Sequence, residues 1–165
     1  MPADRPYKTF QDFLKAAKAN PGKLSIAGSA RYSANHVAHA RLNRDFGIDT
    51  QYVPFKGTGD LVASVLGNHV AATMSYTTLA IGQKGKMRML AVATRERVPQ
   101  FPDVPTFRAL GVDLIDGAYR GVAVPKSTPE AVRRQVSGMM DAINKDPELR
   151  RKMAEGGFEV LDIGS

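Results

Sequence analysis

Short β-like apolar runs alternate along the chain with longer stretches of helical periodicity. Gly, Pro or Asn separates them, the punctuation of an α/β fold. Thr9-Phe10-Gln11-Asp12 pairs an N-cap residue with an acid three places on. It opens a helix through Phe13, Leu14 and Ala17 that stops at Asn20-Pro21-Gly22. A strand is predicted at Leu24–Ala27. Ser33 to Phe46 then reads as a helix closed by Gly47, with Val37, Ala40, Leu42 and Phe46 as its apolar stripe. Further strands are predicted at Gln51–Pro54, His69–Met74 and Met87–Thr94, and helices at Leu61–Leu66 and Thr77–Gln83.

Pro99, Pro102 and Pro105 make Arg95–Pro105 a rigid crossing and a candidate lobe boundary. Beyond it the pattern predicts a short helix at Thr106–Leu110, a strand at Tyr119–Val124 and a helix Pro129–Asn144 with Pro in its first turn. A helix Pro147–Glu155 and a strand Phe158–Leu161 complete the reading. There are no internal repeats and no low-complexity segments.

Composition narrows the function classes. A chain of 165 residues can bury one core, so one domain or two closely packed lobes is expected. It has no Cys, which removes disulfides, Cys-ligated zinc, iron–sulfur clusters and thiol nucleophiles together. No apolar run approaches the roughly 20 residues that span a bilayer, and MPADRPYKTF lacks the basic-then-apolar layout of a secretory signal. The chain as written is expected to be soluble, with no signal peptide. Its net charge is +7, but the charges are scattered: Arg133, Arg134, Arg150, Arg151 and Lys152 interleave with Glu130, Asp141, Asp146, Glu148 and Glu155. No zinc-finger, helix-turn-helix or aromatic RNA-binding signature is present, so small anions rather than nucleic acid are the expected partners.

The recurring chemical feature is a strand ending in a small polar loop that opens a helix. Gly28-Ser29-Ala30-Arg31-Tyr32-Ser33 is one, Phe55-Lys56-Gly57-Thr58-Gly59-Asp60 a second, and Met74-Ser75-Tyr76-Thr77-Thr78 ends a third strand. Such loops collect backbone N–H groups without intrahelical partners, and the helix dipole adds positive charge, so carboxylate or phosphate is favoured there. In an open α/β sheet they lie at the carboxyl ends of the strands, where ligands sit. The bland reading is that Gly and Ser merely make turns and cap helices. Neither loop is a Walker motif or a dinucleotide fingerprint, since Gly57-Thr58-Gly59 lacks the third Gly. No cofactor is expected.

His36 and His39 stand three apart on a predicted helix, a spacing that suits one metal ion. No third ligand accompanies them, and capping and surface packing explain Asn35-His36 more simply. A Ser29, His36 and Asp60 triad can be assembled on paper, without the Gly-X-Ser-X-Gly elbow. The methionines read as core filler.

Six segments carry a resemblance: Asn20-Pro21-Gly22-Lys23, Ser33-Ala34-Asn35-His36, Val53-Pro54-Phe55-Lys56-Gly57, Leu90-Ala91-Val92-Ala93-Thr94, Pro102-Asp103-Val104-Pro105-Thr106 and Asp146-Pro147-Glu148-Leu149-Arg150. In this order they resemble the extracytoplasmic solute receptors of tripartite tricarboxylate transporters, the Bug family, over nearly the whole chain. The resemblance implies an α/β, periplasmic-binding-protein-like (Venus-flytrap) lobe, with a mixed sheet flanked by helices. It implies a periplasmic, non-enzymatic protein that captures a small carboxylate between two lobes and presents it to membrane transporter subunits. Residues 1–105 would be the second ligand-binding lobe, and 106–165 the crossover and return into an incomplete first lobe. The expected ligand-binding residues are Ser29, Ala30, Arg31, Tyr32, Ser33, Lys56, Gly57, Thr58, Gly59, Ser75 and Tyr76.

Two departures shape the expectation. The chain starts near where the second lobe of the family begins, so half of the cleft is expected to be missing, and uncovered apolar surface would favour a homo-oligomer. Family members commonly carry small residues where this chain has Ala30, Arg31 and Tyr32, and an Asp where it has Ser75. Arg31 would add a bidentate carboxylate donor and Tyr32 a stacking surface, which points to an aromatic or larger carboxylate. Two alternatives stay open: an effector-sensing domain of a transcription regulator, and a small hydrolase using Ser29 and His36.

Overall fold

The computed structural model describes residues 1–118 and 121–160. They fall into two compact units, Met1–Ala118 and Tyr119–Ser165. Among the described residues no helix is long and apolar enough to cross a membrane.

In the first unit, α1 (Phe10–Ala19) starts on the expected reciprocal cap. Thr9 Oγ1 accepts the Asp12 amide at 3.1 Å, and Asp12 Oδ2 accepts the Thr9 amide at 2.9 Å. These bonds satisfy amides that helix geometry leaves without partners. Phe10, Phe13 and Ala17, spaced by three and four, form the buried face.

Next come β1 (Ser25–Gly28), α2 (Ala34–Phe46), β2 (Gln51–Pro54), α3 (Thr58–Leu66), the two-residue β3 (Ala72–Thr73) and α4 (Thr77–Gly82). The strand order is β2-β1-β3 and both pairings are parallel, with Ile26 opposite Tyr52 on one side and Ala72 on the other. Successive side chains of a strand point to opposite faces. Ile26 accordingly joins Phe10, Phe13, Leu42 and Phe107 in one core, while Ala27 joins Leu61, Val65 and Val70 in another. Phe10 anchors the first core through edge-on contacts to Phe46 at 4.9 Å and Phe107 at 5.4 Å.

Several expectations are corrected. The sheet expected to be mixed has, among the described residues, parallel strands only, and the antiparallel pairing is reduced to an isolated bridge between Pro2 and Met87. Met87–Thr94 is not a strand: Met87 bridges Pro2 and Lys84, and Val92 bridges Thr106. Beside the Val92–Thr106 bridge, Pro105 has no amide with which to extend a ladder. The third strand is far shorter than His69–Met74, and α3 begins at Thr58 rather than Leu61. Thr106–Leu110 narrows to a 3-10 turn at Arg108–Leu110. Arg95–Pro105 does not end the unit, because Phe107 and Leu114 beyond it are buried in its core.

The apolar stripe assigned to α2 is also corrected. Its buried residues are Asn35, Ala38, His39 and Leu42, while Val37 is 51% exposed. Two polar side chains can face inward because each finds a partner there. For His39 the partner is Thr50, whose Oγ1 lies 2.9 Å from His39 Nε2. Thr50 is held in turn by Asn43: its Oγ1 donates to Asn43 Oδ1 at 2.7 Å, and Asn43 Nδ2 donates to its carbonyl at 3.0 Å.

In the second unit, α5 (Glu130–Lys145) and α6 (Pro147–Glu155) form a helical pair. Asp146 caps α6 by accepting the Leu149 amide at 2.7 Å, and Pro147 occupies its first turn. Residues 121–124 and 158–160 are not strands, since no extended neighbour among the described residues of this unit pairs with them. The remainder of the strands expected at Tyr119–Val124 and Phe158–Leu161 lies outside the described residues.

Candidate functional site

All three strands run the same way, so their carboxyl ends share one edge of the sheet. Gly28–Ser29, Phe55–Lys56–Gly57 and Ser75–Tyr76 emerge there together. Backbone bonds fix their spacing: the Phe55 amide donates to the Gly28 carbonyl and the Met74 amide to the Ala27 carbonyl, both at 2.8 Å. Between them opens a cleft of about 320 Å³, lined by Ser29, Asn35, Lys56, Gly57, Thr58, Ser75 and Tyr76. Phe55, Leu61 and Leu79 form its apolar floor.

Of the expected binding residues, the structure brings Ser29, Lys56, Gly57, Thr58, Ser75 and Tyr76 to this cleft. It does not bring Ala30, Arg31, Tyr32, Ser33 or Gly59 to the lining. Tyr32 is 89% exposed, and Arg31 beside it in the chain is exposed as well. Ser33 acts one step back, as N-cap of α2, accepting the His36 amide at 3.4 Å.

Asn35, at the end of the Gly28–Asn35 loop that the resemblance implies faces the cleft, lines it without being among the expected binding residues. It is 5% exposed, not the surface capping residue expected. Its Oδ1 accepts from the Ser29 amide at 3.4 Å and also from Ser29 Oγ, which fixes the orientation of the carboxamide. Ser29 Oγ lies 2.9 Å from Ser33 Oγ as well, so the hydroxyl is held from two sides. Asn two places after a Ser N-cap was the available signal, but only the fold shows which way it turns.

Behind the loop, Tyr52 Oη donates to the Ser29 carbonyl at 2.5 Å. Its ring packs on His36 at 4.5 Å and on His39 at 5.2 Å. Burial, with His36 nearby, holds the His39 imidazole below its ordinary pKa. The Thr50 hydroxyl proton goes to Asn43, which accepts at Oδ1, so His39 Nε2 is the donor to Thr50.

The helix N-termini differ in availability. Those of α1 and α2 are closed by Thr9, Asp12 and Ser33. That of α3, at the cleft, has Gly57 as N-cap and no side-chain cap. Its first-turn amides and Lys56 present positive charge to an anion, opposed by the Asp60 carboxylate in the same turn.

A triad at Ser29 and His36 is not assembled: Ser29 is bonded to Ser33 and Asn35, and His36 Nδ1 accepts the Tyr32 amide at 3.0 Å. Among the described residues no three acidic or His side chains converge on a metal position.

A family model described as tripartite tricarboxylate transporter family receptor matches residues 1–165. The chain belongs to that receptor family. A curated relative from Cupriavidus necator, a protein in the gbd 5' region, is 30% identical over 100% of this chain and 51% of its own length. The solved periplasmic binding protein BugD is 28% identical, with a TM-score of 0.71 over 96% of this chain and 54% of that one. MatC from Rhodopseudomonas palustris, solved with bound malate, is 25% identical, with a TM-score of 0.79 over 95% of this chain and 54% of that one. This receptor-family chain thus spans about half the length of the relatives it matches. Its fold is the α/β periplasmic-binding-protein type, and its relatives are binding proteins.

Proposed function

We propose that the cleft of the first unit captures a small carboxylate as part of a periplasmic solute receptor that serves a tripartite membrane transporter. The observation that carries this reading is the uncapped N-terminus of α3 beside Lys56, at an edge where Thr58 and Ser75 supply hydroxyls. A carboxylate takes such amides as a charge-assisted acceptor. The malate bound to MatC, a relative of this fold, supports a small dicarboxylate over the aromatic acid that Arg31 and Tyr32 suggest, since those two side chains stand off the lining.

On this reading the first unit is a ligand-binding lobe, the second unit belongs to the segment returning toward the other lobe, and the chain works by binding rather than catalysis. The test is a thermal-shift titration with mono-, di- and tricarboxylates, using sulfate and phosphate as controls. A ligand at a hundredfold excess over its Kd adds about 2.7 kcal/mol of stability. A selective rise with dicarboxylates is expected, and a melt unmoved by every carboxylate would overturn the reading.

A further inference from the structure

The loop from Ser29 to Ser33 has an unusual backbone at Tyr32. Its φ is 65°, a left-handed conformation that a bulky L-residue rarely adopts. Its side chain is 89% exposed, with the ring edge-on to His36 at 5.8 Å. What holds the residue is its own amide, which donates to His36 Nδ1 at 3.0 Å. The same imidazole packs against the Tyr52 ring at 4.5 Å, and Tyr52 holds the Ser29 carbonyl. His36 therefore supports both ends of the loop that sets Ser29 and, through it, Asn35 at the cleft.

We propose that His36 is a positioning residue of the binding site, acting as a proton-sensitive latch: neutral, it accepts the Tyr32 amide and holds the Ser29 loop closed, and protonated it lets the loop go. The chemistry follows from the donor count. Nδ1 can accept the amide only with its lone pair free, and an imidazolium has two N–H donors and no acceptor.

The titratable groups packed on His36 are Tyr32 from the loop and Tyr52 from β2, and His39 acts on it electrostatically from its own helix. Arg31 is the nearest cation in the loop sequence. The helix cations Arg41 and Arg44 are held by Asp116 at 3.5 Å and Asp45 at 2.6 Å. The effect on affinity rests on the carboxylate reading of the cleft, whereas the latch itself does not.

The experiment follows the Tyr32 backbone amide and the His36 ring nitrogens of the full chain by NMR from pH 8 to pH 5. Malate titrations are run in parallel at fixed, high ionic strength. The Tyr32 amide should shift with the same midpoint as the His36 ring, and malate affinity should fall about five- to tenfold over the range. H36N keeps an acceptor on Cγ, where Nδ1 is attached, without a titrating proton, and Y32G frees the backbone from its need for support. Both should flatten the pH dependence of affinity. A Tyr32 amide that stays still while the His36 ring signals move overturns the latch, as does H36N retaining the wild-type pH response. Absence of malate binding at pH 8 would count against the carboxylate reading, and the amide titration would still decide the latch.

Discussion

Tyr52 lies directly over Gly28: a Cβ at position 28 would collide with Tyr52 Oη and stand 2.7 Å from the ring carbons behind it. Gly28 is the last residue of β1, so this contact lets the phenol reach the Ser29 carbonyl at 2.5 Å. The ring cannot simply swing aside, since His36 and His39 pack against it.

G28A is therefore expected to destabilise the protein by about 1–3 kcal/mol through overpacking, read by urea unfolding. Removing the ring should relieve the clash. Relative to Y52A alone, the G28A/Y52A double variant is expected to lose less than half of that amount. Equal losses in both backgrounds would show that the ring is not the obstacle.

Position 57 tests the anion site. Gly57 is the N-cap of α3, its backbone is extended, and a Cβ at this position would meet nothing within 4 Å. G57D should fit without strain, improve the cap by a few tenths of a kcal/mol, and fill the first-turn amides with its own carboxylate. We expect a melting temperature at or slightly above wild type, together with loss of carboxylate binding by calorimetry. K56A should weaken binding about tenfold while leaving stability within about 0.5 kcal/mol, as surface substitutions do.

The cap of α1 makes a separate prediction. T9A removes the acceptor of the Asp12 amide and should cost about 1 kcal/mol in chemical unfolding. Hydrogen bonds from the Thr9 backbone and side chain hold the Asp12 carboxyl below its usual pKa of 3.8. Its contribution is complete above that value and is lost as pH falls through the lower folded-state pKa. In T9A the acid limb of the stability profile should be shallower.

His39 acts at higher pH with the same sign. Its folded-state pKa lies below 6.5 because burial disfavours the imidazolium. Between 6.5 and that lower value the unfolded chain binds the extra proton, so stability rises with pH across the window and is complete above it. Urea unfolding should give a lower midpoint at pH 5 than at pH 8, with H39N reducing the difference. An unchanged difference in H39N would assign the effect to other groups.

Much of the local structure was legible in the chain because it is decided within a few residues. Thr9 with Asp12, Ser33, Gly47 and Asp146-Pro147 each satisfy or end a helix terminus from close by, and each helix boundary they mark is found within a few residues. The three loops at the cleft were legible for the same reason, as was the family, whose short segments recur in order along the sequence. The tertiary structure alone decided which side chains those loops turn inward. Asn35 and His39 are polar and read as surface, yet they are buried because Ser29, six residues before Asn35, and Thr50, eleven after His39, meet their hydrogen-bonding needs once the chain folds back on α2. Arg31 and Tyr32, expected from the sequence as ligand contacts, lie off the lining of the cleft in the first unit, with Tyr32 exposed in a left-handed turn. Met87–Thr94 has the apolar content of a strand and forms only isolated bridges, and at Val92 the neighbouring Pro105 has no amide to continue the pairing. Caps are local bonds, whereas burial and pairing depend on residues far away in the chain, and that difference in range separates what could be read from what had to be seen.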